Sequence, residues 1–228
     1  KNCHIFMIKN HLLEKSVTAF EFGGDILYGI CITYHELQVL TDYKGNKHNI
    51  VAPVCFCLLT RYPFFQLHMD FLHALLSIQQ TERLKRLVES KEINLENHII
   101  TDMSHINVGP HQVKGCINLI QKYYHAGVPK RGQKIQINLL NTKIIFHRPI
   151  GQGADIDILL ANYCCLLAYH NLQAIDLIQL LECALKEYKI IIVSENLALT
   201  TSAVLSFVPL LHPLTWTGVI LPILPQHL

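Results

Sequence analysis

The chain carries 14 histidines, eight cysteines and 17 carboxylates in 228 residues, so spacing decides whether any of this chemistry can act together. Gly151-Gln-Gly153 supplies the first two glycines of a dinucleotide-binding loop, but Ile156 stands where that loop needs Gly or Ala. A linker turn is the simpler reading. A phosphate-cradling GxxxxGK[ST] loop, a GxSxG nucleophile elbow and an HExxH zinc helix are all absent from the sequence. Cysteine and histidine could pair as nucleophile and base, yet no spacing supports such a pair. His98, His105 and His111 share a polar stretch and could hold a metal, but their spacing fits no structural zinc pattern. Solvated loop histidines are expected instead. Asp155 and Asp157 could form an acid–base or calcium-binding pair; more simply, they cap the following helix by accepting from its orphan N–H groups. The chain is therefore read as using no cofactor and no metal, and as performing no covalent chemistry of its own.

These residues must be carried by a packed protein. Half of the residues are hydrophobic and only 16% are charged, which suits a chain that buries roughly 70% of its unfolded surface. Mean hydropathy is +0.27. Even so, the richest stretch, Leu205 to Pro225, is interrupted by Pro209, His212, Pro213 and Pro222, which argues against a membrane span. A net charge of +2 gives no electrostatic case for nucleic acid. Cys31, Cys55, Cys57, Cys164, Cys165 and Cys183 lie in apolar runs, where cysteine behaves as a small hydrophobe. With no CxxC and no signal-peptide pattern, they are expected to be reduced and structural, in an intracellular protein. Trp216 is expected in the core. The ends of the sequence suggest a piece of something longer.

Periodicity gives the elements. Thr18–Phe22 and Ile26–Tyr34 flank Gly23-Gly24-Asp25 as a hairpin. Ala52–Leu59 is a third strand, with Cys55 and Cys57 on one face. Pro63 then opens a helix whose apolar residues, Phe64, Leu67, Phe71, Leu72, Leu75 and Leu76, recur at helical spacing and continue into Thr81–Glu89. Ile93–Pro110 reads as loop. Val113–Tyr124 is an amphipathic helix stopped by Gly127 and Pro129, and Ile135–Phe146 is extended. Arg148–Gly153 marks a boundary between a β-first lobe (1–147) and an α/β lobe (148–228). In the second lobe a helix spans Asn171–Tyr188, Lys189–Ser194 is a strand buried on both faces, Leu197–Leu211 is helical, and Trp216–Leu221 is strand-like.

Several stretches resemble the DENN domain family of exchange factors for Rab GTPases. Asp25-Ile-Leu-Tyr-Gly-Ile-Cys31 is similar to a family strand. Val54-Cys-Phe-Cys-Leu-Leu-Thr-Arg-Tyr-Pro-Phe-Phe65 is similar to its "CLLSRYPFF" strand-to-helix signature. Tyr124–Gly132, Asn171–Ser194, Val208–Trp216 and Ile220–Pro225 follow in the family order. The resemblance implies a mixed α/β, bilobal fold: an N-terminal longin-like antiparallel sheet with helices, and a C-terminal α/β lobe with a mostly parallel sheet, incomplete at its C-terminal end. It also implies guanine nucleotide exchange on a Rab-type GTPase held between the lobes. The alternative is a longin–DENN scaffold module without exchange activity, and a small Cys–His hydrolase is a distant third. The implied location is cytoplasmic, with vesicle or endosomal membranes reached only through the partner.

Partners of open α/β sheets meet the carboxyl ends of strands. For Ile190–Val193 that end is Ser194-Glu195-Asn196, which also suits a helix N-cap. Arg61 and Tyr62 sit at the corner before Pro63, where an Arg–Tyr pair suits an interface or Tyr62 plugs the lobe junction. Arg61, Ser194, Glu195 and Asn196 are the candidate GTPase-binding residues.

Overall fold

A computed structural model describes residues 2–9, 26–41, 43–44, 47–89, 93–94, 99–100, 114–138, 143–150, 155–214, 216 and 218–224. Among them, β1 (Asn2–Lys9), β2 (Ile26–Thr41) and β3 (Lys47–Thr60) form an antiparallel sheet in that order. The register sets Ile5 opposite Ile30 and Cys31 opposite Cys57. Because side chains alternate, Ile5, Tyr28, Ile30, Ile32 and Tyr34 all fall on one face, and that face is the buried one. The Gly23-Gly24-Asp25 hairpin turn, Gly151-Gln-Gly153, His98, His105 and His111 lie outside the described residues.

Helix α1 (Phe65–Glu89) begins two residues after Pro63 and buries Phe65, Leu67, Met69, Phe71, Leu72, Leu75 and Leu76. The edge of Phe65 meets Tyr28 of β2, with ring centroids 5.4 Å apart and planes at 80°. The stretch read as loop contains a two-residue antiparallel pair, β4 (Ile93–Asn94) with β5 (Ile99–Ile100). Helix α2 (Lys114–Ala126) ends where Gly127 takes φ +68°, a conformation that stops a helix without strain only at glycine. A hairpin of β6 (Lys134–Asn138) and β7 (Lys143–His147) follows, burying Ile137, Ile144 and Phe146.

Beyond residue 148 every element of the described residues is a helix. α3 (Asp155–Leu160), a π-helical turn (Ala161–Cys165) and α4 (Leu166–Asn171) make one run. Within it Ile156, Leu159, Leu160, Cys164, Cys165 and Ala168 stay on the buried side. Asp157, within this run, has its Oδ2 3.4 Å from His212 Nδ1. α5 (Ala174–Leu185) starts three residues later than expected, behind a capping box in which Gln173 N–H donates to Asp176 Oδ2 at 3.3 Å. α6 (Leu197–Leu210) packs against β1, α3, α4 and the π turn. Leu160, Cys164 and Leu205 thereby join Ile5, Ile30 and Phe65 in one continuous core that crosses residue 148.

Four expectations are not met among the described residues. Every strand pair among the described residues is antiparallel, so the mostly parallel sheet is not seen there. Burial of Ile190–Val193 alternates residue by residue, as in a strand, but no described segment pairs with it. Ile191 is 80% and Val193 89% exposed. Cys55 and Cys57 are exposed thiols rather than core hydrophobes, because odd-numbered residues of β3 from Val51 to Leu59 all face outward. Trp216 is half-buried and lies in no strand among the described residues. All eight cysteines fall among the described residues and none forms a disulfide. No helix of the described residues is long and apolar enough to cross a membrane.

Candidate functional site

The β3–α1 corner is built around a buried histidine. Thr60 Oγ1 accepts from the Tyr62 backbone N–H at 3.1 Å, turning the chain out of β3. Tyr62 stacks on Phe64, with centroids 5.6 Å apart and planes at 14°. The Tyr62 carbonyl accepts from His68 Nε2 at 3.0 Å, and His68 Nδ1 accepts from the Tyr123 hydroxyl on α2. His68 is only 5% exposed. Burial lowers its pKa to about 4, opposed only in part by the bond to Tyr62, so the ring is neutral. Burial also pushes the Tyr123 phenol upward. The pairing fixes the tautomer: Nε2 carries the proton and Nδ1 is the acceptor. Arg61, next to this corner, is exposed, whereas Tyr62 is half-buried.

The second candidate stretch is a helix cap with an exposed middle. Asn196 takes extended backbone angles, φ −96° and ψ 103°, and its Oδ1 accepts from Ala198 N–H at 3.0 Å and Leu199 N–H at 3.4 Å. Ser194 Oγ accepts from the Asn196 N–H at 3.1 Å, so the two polar residues form one local hydrogen-bonded turn. Glu195 projects into solvent between them. The two candidate stretches are not joined by any described contact. Arg61 belongs to the α1 corner, while Ser194–Asn196 leads into α6, whose neighbours are β1, α3, α4 and the π turn.

Sequence reasoning missed what lies beside the cap. A cleft of about 440 Å³ opens among residues 184–192, α6 and residues 216–224, lined by Tyr188, Ile190, Ile192, Phe207, Trp216 and Ile220 among others. Among the described residues that line it there is no carboxylate, histidine or cysteine. Alongside it, Ile175, Ile178 and Leu185 of α5 form an apolar stripe that faces solvent. The signal available was that stripe itself, together with the apolar run at 190–193. Among the described residues no three His, Cys, Asp or Glu side chains come together as a metal site would require.

Among the described residues an antiparallel sheet packs on a long helix, and a set of helices follows. The chain matches the DENN (AEX-3) domain family over residues 51–228, and it belongs to that family. It is 25% identical over 216 residues to DENN domain-containing protein 3 of Mus musculus, covering 88% of this chain and 14% of that protein. It is 26% identical over 214 residues to a DENN domain-containing protein of Schizosaccharomyces pombe, covering 86% of this chain and 19% of that one. The chain thus spans between about one seventh and one fifth of the relatives it matches. No solved structure matches it.

Proposed function

We propose that this chain is an exchange-factor domain for a Rab-type small GTPase. It would hold the switch regions between a longin-like lobe (1–147) and an α/β lobe (148–228) and promote GDP release. The observation that carries the reading is the DENN family match across residues 51–228. Two further features support it: the exposed polar residues Arg61, Glu195 and Asn196, and the exposed side chains of Ile191 and Val193. Such a regulator needs no catalytic group. It acts by binding the nucleotide-free GTPase more tightly than the GDP-bound form, and linkage then requires that it weaken GDP affinity by the same factor. The setting is cytoplasmic, with recruitment to vesicle or endosomal membranes through the GTPase. The testing experiment is affinity measurement against a panel of Rab GTPases, each nucleotide-free and GDP-loaded. A cognate GTPase is expected to bind roughly 5–150-fold more tightly when nucleotide-free. Equal affinity for the two forms would indicate a scaffold module instead, and no binding at all would remove the reading.

A further inference from the structure

The net charge of +2 conceals a sharp asymmetry. Between Asp102 and Asp155 there is no carboxylate, while seven of the 19 Lys and Arg residues fall in that span. The remainder of the chain holds twelve Lys and Arg against all 17 Asp and Glu, so a cationic segment sits in an anionic protein. The fold collects that segment into α2 and the β6–β7 hairpin, which pack on each other.

The hairpin has one buried and one solvent face. Ile137, Ile144 and Phe146 turn inward. Lys134 opposite His147, Gln136 opposite Ile145, and Asn138 opposite Lys143 all turn outward. Lys130 and Arg131 form the exposed turn that leads into β6, and Lys122 lies on the exposed flank of α2. Arg148 is used internally: its Nη1 donates to the Pro129 carbonyl at 2.9 Å and its guanidinium lies over Phe64. Apolar side chains are set among these cations. Ile145 is 49% exposed in the middle of the hairpin face, and Ile150 is 75% exposed. Ile150 stands against Gly132, in the same turn as Lys130 and Arg131; a Cβ at Gly132 would come within 3.1 Å of it.

We propose that the solvent face of the β6–β7 hairpin, with the Lys130–Arg131 turn, docks directly on an anionic lipid bilayer. Charge complementarity supplies the attraction, because juxtamembrane lysines and arginines lower their energy at a negatively charged leaflet. Residue type favours a bilayer over a phosphopeptide. Lysine predominates on this face, and its compact ammonium suits a diffuse charged surface, whereas clamping of a single phosphate calls for arginine forks. The interleaved isoleucines favour a bilayer over nucleic acid or an acidic polypeptide. They would enter the headgroup–acyl boundary, while a phosphodiester or carboxylate chain would leave them wet. The contact is additional to recruitment through a GTPase and does not depend on it.

The test is co-sedimentation of the full chain, with no GTPase present, on phosphatidylcholine vesicles with and without phosphatidylserine. Binding is expected only with phosphatidylserine, and is expected to collapse as salt shortens the Debye length from about 10 Å toward 3 Å. Each cation near the leaflet is worth roughly fivefold in partitioning, so Lys134→Ala with Lys143→Ala should lower it about 25-fold. Ile145→Ser should weaken binding while leaving its salt dependence intact. Lys186→Ala with Lys189→Ala, away from this face, should leave binding unchanged. Because all these side chains are exposed, circular dichroism should show wild-type folding throughout. The proposal is overturned by equal binding to pure phosphatidylcholine, by no vesicle binding, or by an equal loss in the Lys186/Lys189 variant. Capture of polyglutamate or duplex DNA by the same lysines without vesicle binding would overturn it in favour of another polyanion.

Discussion

Acid should unfold this protein through His68 before it reaches the carboxylates. In the folded state Nε2 donates to the Tyr62 carbonyl and Nδ1 accepts from Tyr123, in a site with almost no water. A second proton has no place there, and burial holds the folded pKa near 4 against 6.5 in the unfolded chain. The folded state therefore rejects a proton that the unfolded state takes up. The stability from this group is complete above about pH 6.5 and is lost progressively as pH falls toward 4. Across the whole window the loss is about 3 kcal/mol, at 1.36 kcal/mol per unit of separation. By pH 5 it is already about 2 kcal/mol, roughly 4–8 °C in Tm for a chain of this size. His4, its pKa also lowered by burial, adds a contribution of the same sign, whereas Asp70, whose carboxyl is raised by burial, opposes it near the acid end. Urea denaturation of wild type and His68→Gln at pH 7.5 and 5 isolates the effect. The Gln amide can donate to Tyr62 and its oxygen can accept from Tyr123, so the contacts persist without titration. Wild type should lose about 2 kcal/mol more than the variant between the two pH values. Equal losses would refute the reasoning, as would a wild type more stable at pH 5.

Three further outcomes follow from the geometry. Asn196→Ala removes the acceptor for Ala198 and Leu199 N–H and should cost about 1 kcal/mol by urea titration. Asn196→Asp should keep the cap and Tm, since both residues cap well, while lowering GTPase affinity several-fold by adding charge at the proposed interface; unchanged affinity would leave position 196 a cap only. Brief maleimide treatment of the native protein should label exposed Cys55 and Cys57 and spare buried Cys164, whose thiol is further disfavoured as thiolate by burial. Peptide mass mapping reads this directly, and native labelling of Cys164 would show that its helix opens readily.

What the sequence revealed depended on whether the cause was local. α1 was legible because Pro63 and the recurrence from Phe64 to Leu76 act within one element, and Asn196 because a cap reaches only three residues ahead. The end of α2 was legible because Gly127 alone carries the positive φ that stops it. Cys55 and Cys57 misled because an apolar run names a strand without saying which face is buried; that depends on α1 covering the side holding Tyr28 and Ile30. Ile190–Val193 carries strand-like alternation, but a strand exists only beside a partner. His68 could not be singled out, since its function needs Tyr123, 55 residues away. The cationic face escaped because net charge averages over the chain, while the hairpin register gathers lysines spaced along it.

The most direct measurement is release of fluorescent GDP from each member of a Rab GTPase panel, followed as chain concentration rises, with Asn196→Asp run in parallel. For a cognate GTPase the release rate should climb with concentration and saturate, and the Asn196→Asp curve should need several-fold more protein at an unchanged Tm. Release rates that stay at their intrinsic values for every GTPase, with the chain folded and in excess, would contradict the assignment of exchange activity.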